Sequence, residues 1–425
     1  MTASPPRAPL SLAAYRAAAG LIAPLAGPLL RARARQGKED PARLAERLGY
    51  AGIARPPGPL VWLHAVSVGE SLSLLPLIAA LRAERPDLTI LNTSGTQASA
   101  EVLAQRLPIG VLHQYAPVDT PGAVARFLAH WRPGAGLFAE SELWPNLILA
   151  ARRTGVRLAL VSARMTEKSA KAWAARPAAA GAMLRSFEVV LPQDAATEAR
   201  LKALGAAIGG RLNLKRIGDP LPADAAELGR LADAIGERRV LVAASTHPGE
   251  EARIARAASG LSSAPLLIIA PRHPERGPEI GAALAGRRVA RRAAGEPIGP
   301  ETEVYVADTL GELGLFLRVS QLAIVGGAFA PGIGGHNPLE PARLGVGAIS
   351  GPYAHNFADI YAEMAAAGAV RIAPDEAALA EALTQLWREP QRMAKMGAAA
   401  LAYASDQGAQ LDAAMELIRP LLPPR

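Results

Sequence analysis

Residues 60–84 read LVWLHAVSVGESLSLLPLIAALRAE. The first seven residues form a nearly continuous apolar run, which predicts a strand buried on both faces, and the stretch from Ser71 predicts a helix. Between them, VSVGE supplies a turn in which Gly69 permits a tight strand-to-helix junction. The same unit recurs along the chain. LTILNT (88–93), VLHQYAP (111–117), AGLFAE (135–140), RLALVSA (157–163) and FEVVLP (187–192) read as further buried strands, with helical stretches such as PNLILAARRTG (145–155) between them. The alternation lapses near residues 213–228, around Pro220 and Pro222, and this stretch reads as a connection. It restarts with RRVLVAAST (238–246), APLLIIAP (264–271), TEVYVAD (302–308), QLAIVGGA (321–328), VGAIS (346–350) and AVRIA (369–373). Strands separated by helices predict parallel sheets covered on both faces. The fold class is therefore α/β, with two doubly wound, Rossmann-like domains over residues 41–215 and 216–425, and a separate N-terminal segment, 1–40.

Composition narrows the function. Half of the 425 residues are apolar and a fifth are charged, so a large core can form. There is no cysteine, which removes disulfides, thiolate catalysis and Cys-based zinc sites. Five of the eight net positive charges lie in residues 1–50, where eight Arg and Lys stand against three Asp and Glu. With aromatics at 4% and no basic run interleaved with them, nucleic acid is not the expected partner. An anionic membrane surface is. Ala17–Leu30 carries no charge, follows Arg16 and precedes Arg31, Arg33, Arg35 and Lys38. The run is shorter than the roughly 20 residues needed to span a bilayer and contains Pro24 and Pro28. It reads as a helix lying in the cytoplasmic leaflet with its basic flank on the headgroups; a helix packed on the body of the protein is the alternative.

In open α/β sheets ligands bind beyond the carboxyl ends of the strands. The polar clusters HAVSVGE, TSGTQ, PVDTP and ESELWPN occupy that position in the first half. STHPGEE, PRHPER, DTLGELG and GGAFAPGIGGHNPLEP occupy it in the second. The expectation is that the two sets face each other across a cleft. Glu70, ending VSVGE, is the candidate general base, with a helix-start glutamate as the alternative. Of Glu140 and Glu142, which flank Ser141, one is expected to cap the next helix and the other to face the reaction centre. Arg272 is the candidate anion binder, with a salt bridge to Glu275 as the alternative. The glycine loop of residues 331–337 is expected to bring backbone amides and the start of the next helix to a phosphate, with Asn337 as the cap and Glu340 placed to accept from ribose hydroxyls. His247, His273 and His336 fall in three of these loops without metal-ligand spacing. Hydrogen bonding is their expected use, and no metal and no cofactor is expected.

HAVSVGE, ELWPNL, ARMTEKS, STHPGEE, PRHPER and GGHNPLEP, followed by GP at 351–352 and NF at 356–357, resemble the 3-deoxy-D-manno-octulosonic acid (Kdo) transferases of lipopolysaccharide assembly. The resemblance implies a GT-B fold and transfer of Kdo from CMP-Kdo to a lipid A precursor, lipid IVA. Such transfer is inverting and metal-independent, at the cytoplasmic face of the inner membrane. It also implies that Glu70 is the proton acceptor and that Glu140 and Lys215 stabilise the transition state. The implied CMP contacts are Pro271, Arg272, Leu310, Gly311, Glu312, Asn337, Pro338, Leu339 and Glu340. The segment NLKRIGD (213–219) departs from the family pattern, so Lys215 rests on a single lysine in the connection. A non-catalytic, membrane-associated nucleotide-sugar binder and a GT-B-like sugar-nucleotide epimerase are the other readings.

Overall fold

A computed structural model describes residues 9–262 and 264–425; the first eight residues of the N-terminal segment lie outside these. The chain forms two units, Met1–Ile217 with Gly408–Arg425, and Gly218–Gln407.

The first unit holds six strands: β1 (Leu60–His64), β2 (Thr89–Ser94), β3 (Leu112–Tyr115), β4 (Ala135–Ala139), β5 (Arg157–Ala163) and β6 (Val189–Pro192). They are parallel, in the order β3-β2-β1-β4-β5-β6. Alternate side chains of β1 serve opposite faces, as the pleat requires. Leu60 and Trp62 pack with Phe127, Leu147 and Ile148, whereas Val61 and Leu63 pack with Leu77, Ile78 and Leu81. Burial of both faces explains the unbroken apolar run in the sequence.

The second unit repeats the plan with β7 (Val240–Thr246), β8 (Leu266–Pro271), β9 (Val289–Arg291), β10 (Val304–Val306), β11 (Leu322–Val325), β12 (Ala348–Ser350) and β13 (Val370–Ile372). Its order is β13-β12-β11-β7-β8-β10-β9, again all parallel. In each unit the strand order reverses once, between β1 and β4 and between β7 and β11. Those are the points where the loops leaving adjacent strands diverge and open a crevice. The edge strand β9 is absent from the sequence reading because it is three residues long and set in RRVARR, with no apolar run to mark it.

Two segments differ from the sequence expectation. The helix Leu10–Arg35 runs without interruption through Pro24 and Pro28, both exposed. It packs on the helices Pro121–Trp131 and Pro145–Arg153, burying Leu12, Ala19 and Leu30, with a hydrogen bond from the Tyr15 hydroxyl to Asp119 at 3.0 Å. Leu21, Ile22, Leu25 and Leu29 project from the opposite face into the open. The helix Pro390–Ile418 starts in the second unit, but residues 408–425 count with the first. There Ala414, Met415, Ile418 and Leu421 join the core of β4 and β5, so the second domain does not keep the chain's end that the sequence reading gave it.

Gly351 follows β12, where the backbone of the glycine-rich loop crosses it. A Cβ at this position would stand 2.1 Å from the carbonyl oxygen of Ala328. Gly351→Ala is expected to destabilise the protein by about 1–3 kcal/mol, the usual cost of overpacking. Urea unfolding checks this, and an unchanged midpoint would show that the loop can yield.

Candidate functional site

In the first unit, the residues singled out in the sequence lie at the strand-order reversal. β1 leads into a helix, Val68–Ser73, that opens with a capping box: the Ser67 hydroxyl accepts from the Glu70 amide, and Glu70 reaches back. Glu70 Oε2 accepts from the amides of Val66 (2.8 Å) and Ser67 (3.1 Å). Glu70 is thus a helix-start carboxylate in its contacts, and one oxygen, Oε1, has no hydrogen bond among the described residues.

Glu140 follows β4 in a left-handed conformation, φ 54°, which side chains other than glycine seldom adopt. Its amide and carbonyl are both used, by Val161 and Arg164, and these bonds hold the turn. The residue is 3% exposed, and its Oε1 lies 2.5 Å from Lys215 Nζ. The contact is an ion pair without hydrogen-bond alignment. Lys215 stands in the turn Leu214–Arg216, fixed by Asn213 Oδ1 accepting from its amide and by the Ser162 hydroxyl accepting from Leu214. The single lysine of the connection therefore reaches the buried carboxylate.

Neither Glu140 nor Glu142 caps the next helix, contrary to the sequence expectation. Asp119, from PVDTP after β3, does so, accepting from the amides of Asn146 (3.1 Å) and Leu147 (2.8 Å). A cap supplied from about 27 residues away leaves no local signature. Glu142 accepts instead from Trp144 Nε1 at 2.6 Å. Burial pushes its carboxyl up to about 7, opposed by the Trp144 bond and assisted by the charges of Glu70 and Glu140.

In the second unit the same kind of map centres on β7, β8 and β11. Glu250, 2% exposed, takes amides from both sides of the reversal: His247 at 2.9 Å, Gly327 at 2.9 Å and Phe329 at 3.2 Å. The glycine-rich loop uses positive φ at Gly327, Gly332, Gly334 and Gly335. A Cβ on Gly327 would come within 3 Å of the His336 ring, so this glycine makes room for it. The helix after the loop is a single turn, Leu339–Ala342. It offers little macrodipole to a phosphate, so the contribution expected of a helix end is small. Asn337 Oδ1 accepts from the Leu339 amide at 3.0 Å, the capping role expected of it.

Arg272, directly after β8, donates its amide to Thr246 O at 3.0 Å, and its side chain has no ion pair among the described residues. Glu275 pairs weakly with His273 instead, at 3.5 Å. Burial raises the Glu340 carboxyl above its usual range, against the pull of Arg343 and then Arg272. Burial pushes His336 down to about 4, and the His247 ring, the Arg272 guanidinium and the His273 ring act in the same direction. The Arg272 charge thus acts on both His336 and Glu340, and the rings of His247 and His273 lie 6.0 Å apart. After β10, Leu310 is exposed and Gly311 has φ 82°. The Glu312 carboxylate is held by Arg292 at 2.6 and 3.0 Å and by the Thr309 hydroxyl, so it is engaged within the protein. Among the described residues no group of three or more His, Asp or Glu side chains is arranged to hold a metal ion.

The Glu142 shift has a consequence for stability. An ordinary glutamate in the unfolded chain ionises near 4.3, whereas the folded state keeps Glu142 protonated to about 7. Between those values the unfolded chain binds fewer protons than the fold, so stability falls as pH rises through this window and the loss is complete above it. Glu142→Gln is expected to raise the melting temperature at pH 8 and leave it unchanged at pH 4. Melts at the two pH values test this, and equal effects at both would contradict it.

These sites can be set beside known proteins. A family profile described as 3-deoxy-D-manno-octulosonic-acid transferase (kdotransferase) matches residues 42–215. The chain is 37% identical over 364 residues to a probable mitochondrial 3-deoxy-D-manno-octulosonic acid transferase of Arabidopsis thaliana, covering 82% of this chain and 81% of that one. It is 37% identical over 373 residues to the 3-deoxy-D-manno-octulosonic acid transferase of Bordetella pertussis, covering 84% and 86%. Among solved structures, a glycosyltransferase of Rickettsia africae matches with a TM-score of 0.51 over 86% of this chain and 99% of that one, at 11% identity, a likeness of fold alone. With such identity sustained over most of both chains, the protein belongs to the 3-deoxy-D-manno-octulosonic acid transferase family and is a glycosyltransferase of GT-B fold.

Proposed function

We propose that the protein transfers Kdo from CMP-Kdo to a hydroxyl of a lipid A precursor, lipid IVA, in lipopolysaccharide synthesis, with inversion and without a metal. The observation that carries this reading is the pairing of chemistry with topology. A carboxylate with one free oxygen, Glu70, and a buried acid–lysine pair, Glu140–Lys215, lie at the strand-order reversal of the first unit. A guanidinium without an ion pair among the described residues, Arg272, acts on Glu340 at the corresponding edge of the second. Family membership argues against the non-catalytic and epimerase readings.

In the proposed reaction Glu70 accepts the proton of the acceptor hydroxyl as that oxygen attacks the anomeric carbon. Its amide bonds fix the carboxylate, so little reorganisation accompanies the step. Lys215 and Glu140 stabilise charge around the sugar in the transition state, and the φ 54° turn at Glu140 holds the acid where an ordinary strand end would not. CMP lies against Pro271, Arg272 and the loop through Asn337, Pro338, Leu339 and Glu340, with Leu310 and Gly311 contributing surface and backbone. Glu312 acts by ordering the turn Thr309–Glu312 through Arg292 rather than by meeting the ligand with its carboxylate.

The lipid acceptor implies a membrane surface. The outward face of the helix Leu10–Arg35 presents Leu21, Ile22, Leu25 and Leu29, followed by Arg31, Arg35 and Lys38. This helix is apolar enough to enter a bilayer and only 11% of its most apolar window is buried. We read it as an in-plane anchor on the cytoplasmic leaflet of the inner membrane that also rests on the protein, which joins the two alternatives posed by the sequence.

Two experiments test the reading. With CMP-Kdo and a tetra-acylated lipid A precursor, mass spectrometry should show a Kdo adduct, and Glu70→Gln should lower turnover by about 10²–10⁴-fold with CMP affinity unchanged. Near-normal transfer by Glu70→Gln removes it from the role of base. Replacing Leu21, Leu25 and Leu29 together by serine should weaken binding to anionic liposomes by about 100-fold in co-sedimentation, from lost apolar burial. Undiminished binding would place the membrane contact elsewhere.

A further inference from the structure

Between β7 and β11, His247 and His336 meet through their Nε2 atoms at 2.8 Å. Their rings are nearly parallel, at 7°, with centroids 5.1 Å apart. That separation exceeds the nitrogen–nitrogen gap by about two ring radii, so the imidazoles lie end to end in one plane. Two Nε2–H groups cannot face each other at this distance, and two bare lone pairs repel. One ring donates and the other accepts. A neutral pair so arranged has a single bare nitrogen left, the Nδ1 of the donor ring, and a proton placed there makes the pair a monocation without breaking the inner bond.

The surroundings are built to keep this arrangement. The His247 amide is held by Glu250, the His336 carbonyl accepts from the Tyr361 hydroxyl at 2.9 Å, and Gly327 leaves the space that the His336 ring fills. Charges of both signs face the pair. Arg272 and His273 face His336; His273 and Arg276 face His247, with Glu250 and Glu251 opposing them. Glu340, on the turn after His336, lies beside Arg272. Burial is the main cause that keeps both rings neutral at pH 7 without an anion, and Arg272 and Arg276 act in the same direction.

We propose that His247 and His336 are a proton-sharing pair that takes up one proton when a phosphate monoester docks beside Arg272, and so neutralises the charge created on the departing nucleotide. The inference rests on the nucleotide-sugar reading above. In the donor the phosphate is a diester with one negative charge. When the bond from the anomeric carbon to the phosphate oxygen breaks, its electron pair stays on that oxygen, and the acceptor's proton goes to Glu70. The product CMP is a monoester whose second charge ionises near pH 6. An imidazole pair that becomes a monocation matches this second charge.

Isothermal titration calorimetry of the full chain with CMP at pH 7, in buffers of different ionisation enthalpy, reads the proton count directly. The expected result is uptake of about one proton per CMP bound, with affinity falling about tenfold from pH 7 to pH 8 by linkage. Cytidine, which lacks the phosphate, should bind with no uptake. His247→Gln and His336→Gln should each abolish the uptake while keeping wild-type affinity for cytidine, which also reports that the site is folded. CMP binding without uptake, or uptake that survives both substitutions, overturns the proposal. If neither CMP nor cytidine binds between pH 6 and pH 8, the nucleotide reading itself falls, and the role of the pair with it.

Discussion

The second unit's site depends on one buried carboxylate. Glu250 accepts three backbone amides from two loops that leave different strands, and no other side chain among the described residues joins the turn after β7 to the glycine-rich loop after β11 in this way. Glycines at positive φ allow that loop its path but do not select it. Selection comes from the amides of Gly327 and Phe329, which are buried and would each cost about 1–3 kcal/mol if left unpaired. With the loop tied down, His336 is brought to His247, and Glu340 is set one turn further on, near Arg272.

The first unit uses the same device twice. Glu70 accepts the amides of the turn it helps to form, and Asp119 accepts the first amides of a helix from another loop. Parallel strands end in amides with no partner in the sheet, and a carboxylate is the strongest neutral-pH acceptor available to them. The carboxylates near each reversal thus divide by their partners. Asp119 and Glu250 are taken up by the backbone. Glu140 faces a lysine, Glu142 a tryptophan, and Glu340 two arginines. The second kind rest on side-chain partners rather than on the amides of a turn.

This division also marks what could be read from the sequence. The strands were legible because burial on both faces leaves a continuous apolar run, and the loops at their carboxyl ends followed from that. β9 was not, since a short edge strand among arginines needs no such run. Glu70 and Asn337 were legible as helix-start residues because their partners are within four residues. Asp119 and Glu250 were quoted within PVDTP and STHPGEE, yet their partners lie about 27 and 77 residues away, and only tertiary structure brings these together. The meeting of His247 with His336, 89 residues apart, was hidden for the same reason. The expected helix behind the glycine loop failed differently. NPLEP reads as a helix start, but Gly345 at φ 71° ends it after one turn.

The charges of the two sites fit opposite halves of the proposed reaction. At the first unit's reversal Glu70 and Glu140, joined above about pH 7 by Glu142, stand with one lysine, an arrangement that favours a proton acceptor and a developing positive centre. At the second, the Arg272 side chain, which has no ion pair among the described residues, favours an incoming phosphate. A transfer through an oxocarbenium-like transition state separates charge in that sense, positive at the sugar and negative at the leaving phosphate. In each unit the charges are fixed before the reaction, which suits one end of this separation. The left-handed turn at Glu140 and the buried amide bonds of Glu250 are the structural conditions for that fixity.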